Sequence, residues 1–310
     1  MSRKVGQSDI REDIRCISSL RSGDARAALA ECVNEALGEA PSSNSWHKVI
    51  WYSETSGGKI ISFKAGSPYE PKTKGRKERT EPLPEDEAEK KRLAESLSRT
   101  RKRIFEIAAC NPWEWFFTGT LDGEKWDRED LDGVFQTLSQ WFRDYRKRNG
   151  CKELKYLIVP ERHKKGGWHF HGLFHGLPVT ELHKFSTAEK IPLRLKRTIE
   201  AGTDIYNWLP YSAKYGYTTL TAVRDKHATA CYVTKYITKD MIAENAALGT
   251  GRHLYYASQG LRKPAVVAEG YAASYNGTNY DYENEYVQIR KIEAFEDAVQ
   301  FAERYRLTRG

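Results

Sequence analysis

The strongest constraint on this chain is a pair of strand-like stretches separated by only six residues. "ELKYLIVPE", Glu153 to Glu161, and "WHFHGLFHG", Trp168 to Gly176, are linked by "RHKKGG". Folded back as a connection between adjacent antiparallel strands, that link carries Glu161 to the start of the second strand. Side chains at i and i+2 share a strand face, so His169 and His171 point one way while Phe170 packs the other way. Two imidazoles side by side make half a metal site, and a third ligand must come from elsewhere. Glu161 is one candidate and His163, in the link itself, is another. Two nitrogens and one carboxylate leave positions open for phosphate oxygens on a divalent ion such as Mn²⁺ or Mg²⁺. His175 follows the same alternation beyond Gly172 to Phe174 and reads as a supporting or surface residue.

The surroundings of these strands set the fold class. "WEWFFTGTL" reads as an earlier strand, "DREDLDGVFQTLSQWFRDYRKRNG" as a helix, and "YGYTTLTAVRD" and "RHLYYASQGL" as later strands. Strands separated by helices predict an α+β fold with a central antiparallel sheet flanked by helices. An additional N-terminal α/β module is expected before it. There, "DARAALAECVNEALGEA", Asp24 to Ala40, has helical spacing, and "HKVIWYSETSGGKIISFKAG" reads as two strands joined by a Ser-Gly-Gly turn. The polar, proline-bearing "SPYEPKTKGRKERTEPLPEDE" marks a module boundary. A helix starts near Pro84, acidic early and basic late. The expected organisation is residues 1–83 as N-terminal module and linker, 84–262 as the main domain with its leading helix, and 263–310 as a C-terminal tail with a helix.

A second constellation is "YVTKYITK", Tyr232 to Lys239. Its two tyrosines are four residues apart and share one face of a helix, and Lys235 and Lys239 each follow a tyrosine by three. A tyrosine can attack phosphorus when its proton is removed, and nearby cations favour the phenolate and offset charge on the phosphate. Net charge is +8 over 310 residues, which favours a phosphate-bearing partner. The five cysteines form no CxxC pair and read as reduced thiols. The N-terminus lacks an apolar signal core, no run approaches a membrane span, and no GxxxxGK[ST] occurs. A soluble protein of the cytoplasm, with no membrane partner and no P-loop motor, is the expectation.

Taken together, these motifs resemble those of the HUH endonuclease superfamily, specifically the rolling-circle replication initiators (Rep) of single-stranded phages and small plasmids. "FFTGTL" is similar to motif I, "HFHGLF" to the metal-binding motif II and "YVTKYITK" to the two-tyrosine motif III, over roughly Trp113 to Arg262. Tyrosines downstream of the histidines match the order in initiators; conjugative relaxases have the reverse order. A two-tyrosine transposase shares the initiator order and is the alternative within the superfamily. The resemblance implies an RRM-like nuclease fold in a bacterial host cell, with His169 and His171 binding the metal and Glu161 completing the set. Tyr232 or Tyr236 would attack the scissile phosphate, leaving a 5′-phosphotyrosine link and a free 3′-OH. Lys235 and Lys239 would position the phosphate, and the second tyrosine would accept the strand in the closing transfer. The implied partners are single-stranded DNA at a replication origin and a host helicase and polymerase. Motif I departs from the commoner Thr-Leu-Thr form in having Thr118-Gly119-Thr120, which predicts lost packing at the missing leucine.

The DNA track is expected to use cations of "RHKKGGW", "SRTRKR" and "DYRKRNG", with aromatic rings of "IYNWLPYSAKYGY" stacking on bases. A non-catalytic DNA-binding protein with structural Zn²⁺ is the reading from another class. Structural zinc usually has four protein ligands, often cysteine, and none stands near this cluster. Both tyrosine hydroxyls are also retained.

Overall fold

The computed structural model describes residues 44–64, 67, 84–163, 166–237, 253–274 and 279–308. The helix expected over Asp24 to Ala40 lies outside the described residues. The chain forms two compact units, Met1–Cys110 with Arg262–Gly310, and Asn111–Leu261. In chain order the first unit opens with β1 (Asn44–Ser53), β2 (Gly57–Phe63) and helix α1 (Glu85–Cys110). The second holds β3 (Trp115–Thr120), α2 (Leu131–Arg148), β4 (Lys155–Arg162), β5 (Trp168–His175) and β6 (Leu182–Lys184). It continues with α3 (Leu193–Glu200), β7 (Tyr206–Trp208), α4 (Leu209–Lys214), β8 (Thr218–Ala222), α5 (Lys226–Val233) and β9 (Tyr256–Ala257). The first unit then resumes with β10 (Ala265–Ala273), β11 (Tyr282–Glu283), β12 (Val287–Ile292) and α6 (Phe295–Arg304). Mixed helices and antiparallel sheets make this an α+β fold, as the strand and helix spacing predicts.

The units divide the chain differently from the linear partition expected from composition. The helix after Pro84 groups with the first unit, and the last residues are not a tail. They supply β10 and β12, which flank the β1–β2 hairpin in a sheet ordered β10-β1-β2-β12-β11. Tyr271 pairs with Trp46 and Ile289 with Ile61. Helix α6 packs Ala298 and Phe301 on Val49, Trp51, Ile60 and Ile292, closing a core that either end of the chain alone would leave half exposed. The hairpin turn falls on Glu54 to Ser56, and both glycines belong to β2. Gly57 has φ +67°, and a Cβ there would run into the carbonyl oxygen of Ile292, so glycine is needed for both conformation and space.

The second unit is built on a sheet ordered β6-β7-β8-β3-β5-β4-β9, with every neighbour antiparallel. Its α2 begins where Asp130 accepts a hydrogen bond from the Gly133 amide at 3.0 Å and ends in Arg146, Lys147 and Arg148. The apolar stripe Leu131, Val134, Phe135, Leu138, Trp141, Phe142 and Tyr145 recurs at helical spacing and is buried against one face of the sheet. Phe135 meets Phe170 edge-on at 5.1 Å between ring centres, and Phe142 lies 5.7 Å from Phe174. That covered face carries Phe117, Gly119, Phe170, Gly172 and Phe174, so the alternate residues, including both histidines, face the other way.

Gly119 does not lose packing. A Cβ at this position would collide with the ring of Phe117 and come 2.9 Å from the Tyr211 hydroxyl, so aromatic rings fill the space a leucine would take. Among the described residues no helix is long and apolar enough to cross a membrane, and Cys110, Cys151 and Cys231 are free thiols.

Candidate active site

Register explains why residues from three strands meet. Glu161 pairs with His169 across β4 and β5, Thr120 pairs with His169 across β3 and β5, and Thr118 pairs with His171. Cross-strand partners share a face and stand close enough to touch. The strands on either side of the link after Glu161 do pair antiparallel, with Arg162 already in β4 and opposite Trp168. Gly166 at φ +86° and Gly167 at φ +79° make the tight return, and the Gly166 amide donates to the His163 carbonyl at 2.9 Å.

His171 is the most restrained of these side chains. Its Nε2 lies 2.9 Å from Glu161 Oε2 and its Nδ1 lies 3.3 Å from the Thr118 hydroxyl. A carboxylate only accepts, so Nε2–H donates to Glu161 and Nδ1 accepts from Thr118. Burial lowers the His171 pKa to about 4, and the neighbouring His169 adds to the shift, so the ring is neutral at pH 7. His169 is also shifted down, first by burial and then by His163 and Arg128, with Glu161 opposing. Its ring stacks on His163 at 4.9 Å between centres. The two candidates for the third ligand therefore take different places: Glu161 bonds His171, and His163 lies against His169.

The tyrosines come from a segment sixty residues further on, and packing brings them onto the same face. Helix α5 is capped by Asp225, which accepts from the Ala228 amide at 2.8 Å. The sequence expectation of one helix through Tyr236 needs correction, because α5 ends at Val233 and tightens to a 3₁₀ turn over Thr234–Tyr236. Thr234 donates its hydroxyl to the Cys231 carbonyl at 2.7 Å, which helps tighten the last turn. The rings of Tyr232 and Tyr236 still meet edge-on at 5.4 Å. Tyr236 stacks flat on His171, 3.7 Å between centres and 5° between planes. Phe116 contacts all three rings, at 5.5 Å from Tyr232 and 6.4 Å from each of Tyr236 and His171.

The two phenols differ in exposure. Tyr232 is 47% exposed, with the Lys235 ammonium 5.8 Å above its ring, whereas Tyr236 is 9% exposed. Burial pushes the Tyr236 phenol above its ordinary range, and its hydrogen bond to Tyr232 and the charge of Glu161 push in the same direction. Lys239 lies outside the described residues. His175 sits four residues beyond His171, about 13 Å along the strand at ~3.3 Å per residue, and pairs at 3.5 Å with Glu114 instead.

Sequence reasoning passed over Phe116 and the hydroxyl of Thr118 as site residues. Both follow from alternation in β3 once β5 is known to be its neighbour, but that pairing is not written in either strand alone. Of the aromatic run expected to stack on bases, Trp208, Tyr211 and Tyr215 are completely buried and belong to the core under α2.

The donor chemistry fits a divalent cation: two neutral imidazoles and a carboxylate on adjacent strands, with Glu161 2.9 Å from His171 Nε2, a nitrogen that would be free for a cation once the ring proton sits on Nδ1. Among the described residues no three His, Cys, Asp or Glu side chains stand close enough together to hold a metal ion as they are placed. No curated protein and no solved structure shows a significant match to the chain. Residues 114–241 match a family model whose description begins "Replication-associated protein ORF2". That segment runs from β3 through the tyrosine pair, so the part of the chain that builds the site is the part similar to replication-associated proteins, which supports a role in replication.

Proposed function

We propose that the protein is a metal-dependent nicking and strand-transfer enzyme of the HUH type, acting on single-stranded DNA to start and finish rolling-circle replication of a phage or plasmid. The observation that carries the reading is the stack of Tyr236 on His171 at 3.7 Å, with the exposed Tyr232 beside it. It joins a phenol pair to an imidazole and carboxylate set on one sheet face, a combination that suits tyrosine attack on phosphorus.

In this reading Tyr232, the accessible phenol, attacks the scissile phosphate. The new Tyr Oη–P bond forms as the P–O3′ bond breaks; the phenol gives up its proton and the departing 3′ oxygen takes one, leaving a free 3′-OH for a polymerase. Lys235, and Lys239 further on, offset charge on the phosphate. Tyr236 holds the His171 ring in place and later accepts the strand in the closing transfer, after a rearrangement that frees it. One phosphodiester replaces another at each step, so no nucleotide cofactor is required. His169, His171 and Glu161 would hold Mn²⁺ or Mg²⁺, which when bound supplies Lewis-acid polarisation of a phosphate oxygen. With Nε2 turned to the metal the ring proton would sit on Nδ1, where the Thr118 hydroxyl, 3.3 Å away, would accept it and keep the ring oriented. A host helicase would open the duplex ahead of the polymerase.

The test is incubation with 3′-labelled single-stranded DNA from the protein's own replicon, with Mn²⁺ or with EDTA, followed by a denaturing gel. A metal-dependent protein–DNA adduct is expected. Neither an adduct nor a cleavage product anywhere in the replicon would overturn the reading and favour a non-catalytic DNA-binding protein.

A further inference from the structure

One aromatic side chain near the site is neither core nor part of the tyrosine pair. Tyr217 is 40% exposed, unlike Trp208, Tyr211 and Tyr215 just before it. Its carbonyl accepts from both the amide and the hydroxyl of Thr120, at 2.9 and 3.0 Å, which anchors it to the end of β3. Thr120 in turn pairs with His169. Thr218, the next residue, pairs with Gly119 and is fully buried on the α2 face. Strand alternation therefore sends Tyr217 to the face of the histidines.

Two features hold the ring as a surface rather than a mobile side chain. It stacks on the buried ring of Phe185 at 5.6 Å and 30°, and Phe185 is met edge-on by His183 at 5.9 Å. Its backbone can approach β3 this closely because residue 216 is glycine. Gly216 has φ +144°, and a Cβ there would come 2.7 Å from both the Thr120 carbonyl oxygen and the Asp122 amide nitrogen.

We propose that Tyr217 is a base-stacking subsite for single-stranded DNA, taking the face of a nucleobase close to the scissile phosphate. The inference rests on the function proposed above and adds a specific contact to it. Two strand spacings separate Tyr217 from His169, about 10 Å at ~4.8 Å each. At the ~3.4 Å rise of a stacked strand that is about three nucleotides, and fewer when the strand is extended. Stacking reads the π-face, which every base has, so the subsite sets register and affinity more than sequence.

The test uses the full chain in EDTA, so that binding is measured without cleavage. Fluorescence anisotropy compares wild type, Tyr217→Phe and Tyr217→Ala on a labelled single-stranded oligonucleotide that contains the nick site. Tyr217→Ala should bind about tenfold more weakly and Tyr217→Phe within about twofold of wild type, because the ring alone stacks. A 2-aminopurine walked along the oligonucleotide should be quenched at one position near the nick in wild type and Tyr217→Phe, and not in Tyr217→Ala. Wild-type affinity in Tyr217→Ala, or equal loss in both variants, overturns the subsite. If that happens while the wild type still forms its metal-dependent adduct, the subsite fails and the nicking function stands. A wild type that neither binds nor cuts single-stranded DNA overturns both.

Discussion

The two tyrosines should not be interchangeable in the first cleavage, and their single phenylalanine variants test this. Tyr232→Phe removes the exposed oxygen, and the only other phenol of the pair is 9% exposed with its ring flat against His171. Adduct formation should fall below detection. Tyr236→Phe keeps the ring, and with it the stack on His171 and the contact to Phe116, and loses only the hydroxyl bonded to Tyr232. A hydroxyl–hydroxyl bond of that kind contributes about 1 kcal/mol, so the initial rate should drop about fivefold. The assay is initial-rate adduct formation on 3′-labelled single-stranded DNA with saturating Mn²⁺. Thermal melting of each variant separates a chemical effect from loss of fold. The reverse order, with Tyr236→Phe silent and Tyr232→Phe near wild type, would refute the argument from exposure. So would equal residual rates in both variants, which would mean that the phenols exchange places freely before cleavage.

Three further outcomes follow from other parts of the molecule. Glu161→Gln removes the charge that bonds His171 Nε2, so adduct formation should need a higher Mn²⁺ concentration; an unchanged Mn²⁺ titration would exclude Glu161 as a ligand. Gly119→Leu restores the commoner form of the motif yet should destabilise the second unit by about 1–3 kcal/mol, because the new side chain meets Phe117 and Tyr211; an unchanged urea midpoint would refute it. His47 is fully buried between Ser62 and the Ala273 carbonyl, and burial lowers its pKa from 6.5 to about 4. The unfolded chain therefore binds this proton first: the stability is complete above about pH 6.5 and fades as pH falls toward about 4, by about 3 kcal/mol in all. His47→Gln should flatten that part of the urea-midpoint profile, and parallel profiles for variant and wild type would contradict it.

The sequence alone determined the local chemistry. Alternation put His169 and His171 on one face, the short link after Glu161 implied an antiparallel return, and helical spacing marked α2. These are readings of period and turn length, which neighbouring residues decide. Contacts between distant segments were not open to the same reading. That β10 and β12 would close the sheet of the β1–β2 hairpin depends on pairings more than two hundred residues apart, for which a strand such as "AVVAEGYAA" carries no address. The exposed and buried members of "IYNWLPYSAKYGY" look alike in sequence; only the position of α2 separates the core ring of Tyr215 from the exposed ring of Tyr217. The same holds for the tyrosine pair. Spacing in "YVTKYITK" predicts two equivalent phenols on one helix, and the structure makes them different, because a 3₁₀ turn lays Tyr236 on His171 and leaves Tyr232 facing solvent. Periodicity sets which way a side chain points from its own backbone, whereas burial depends on what else the chain brings to that face.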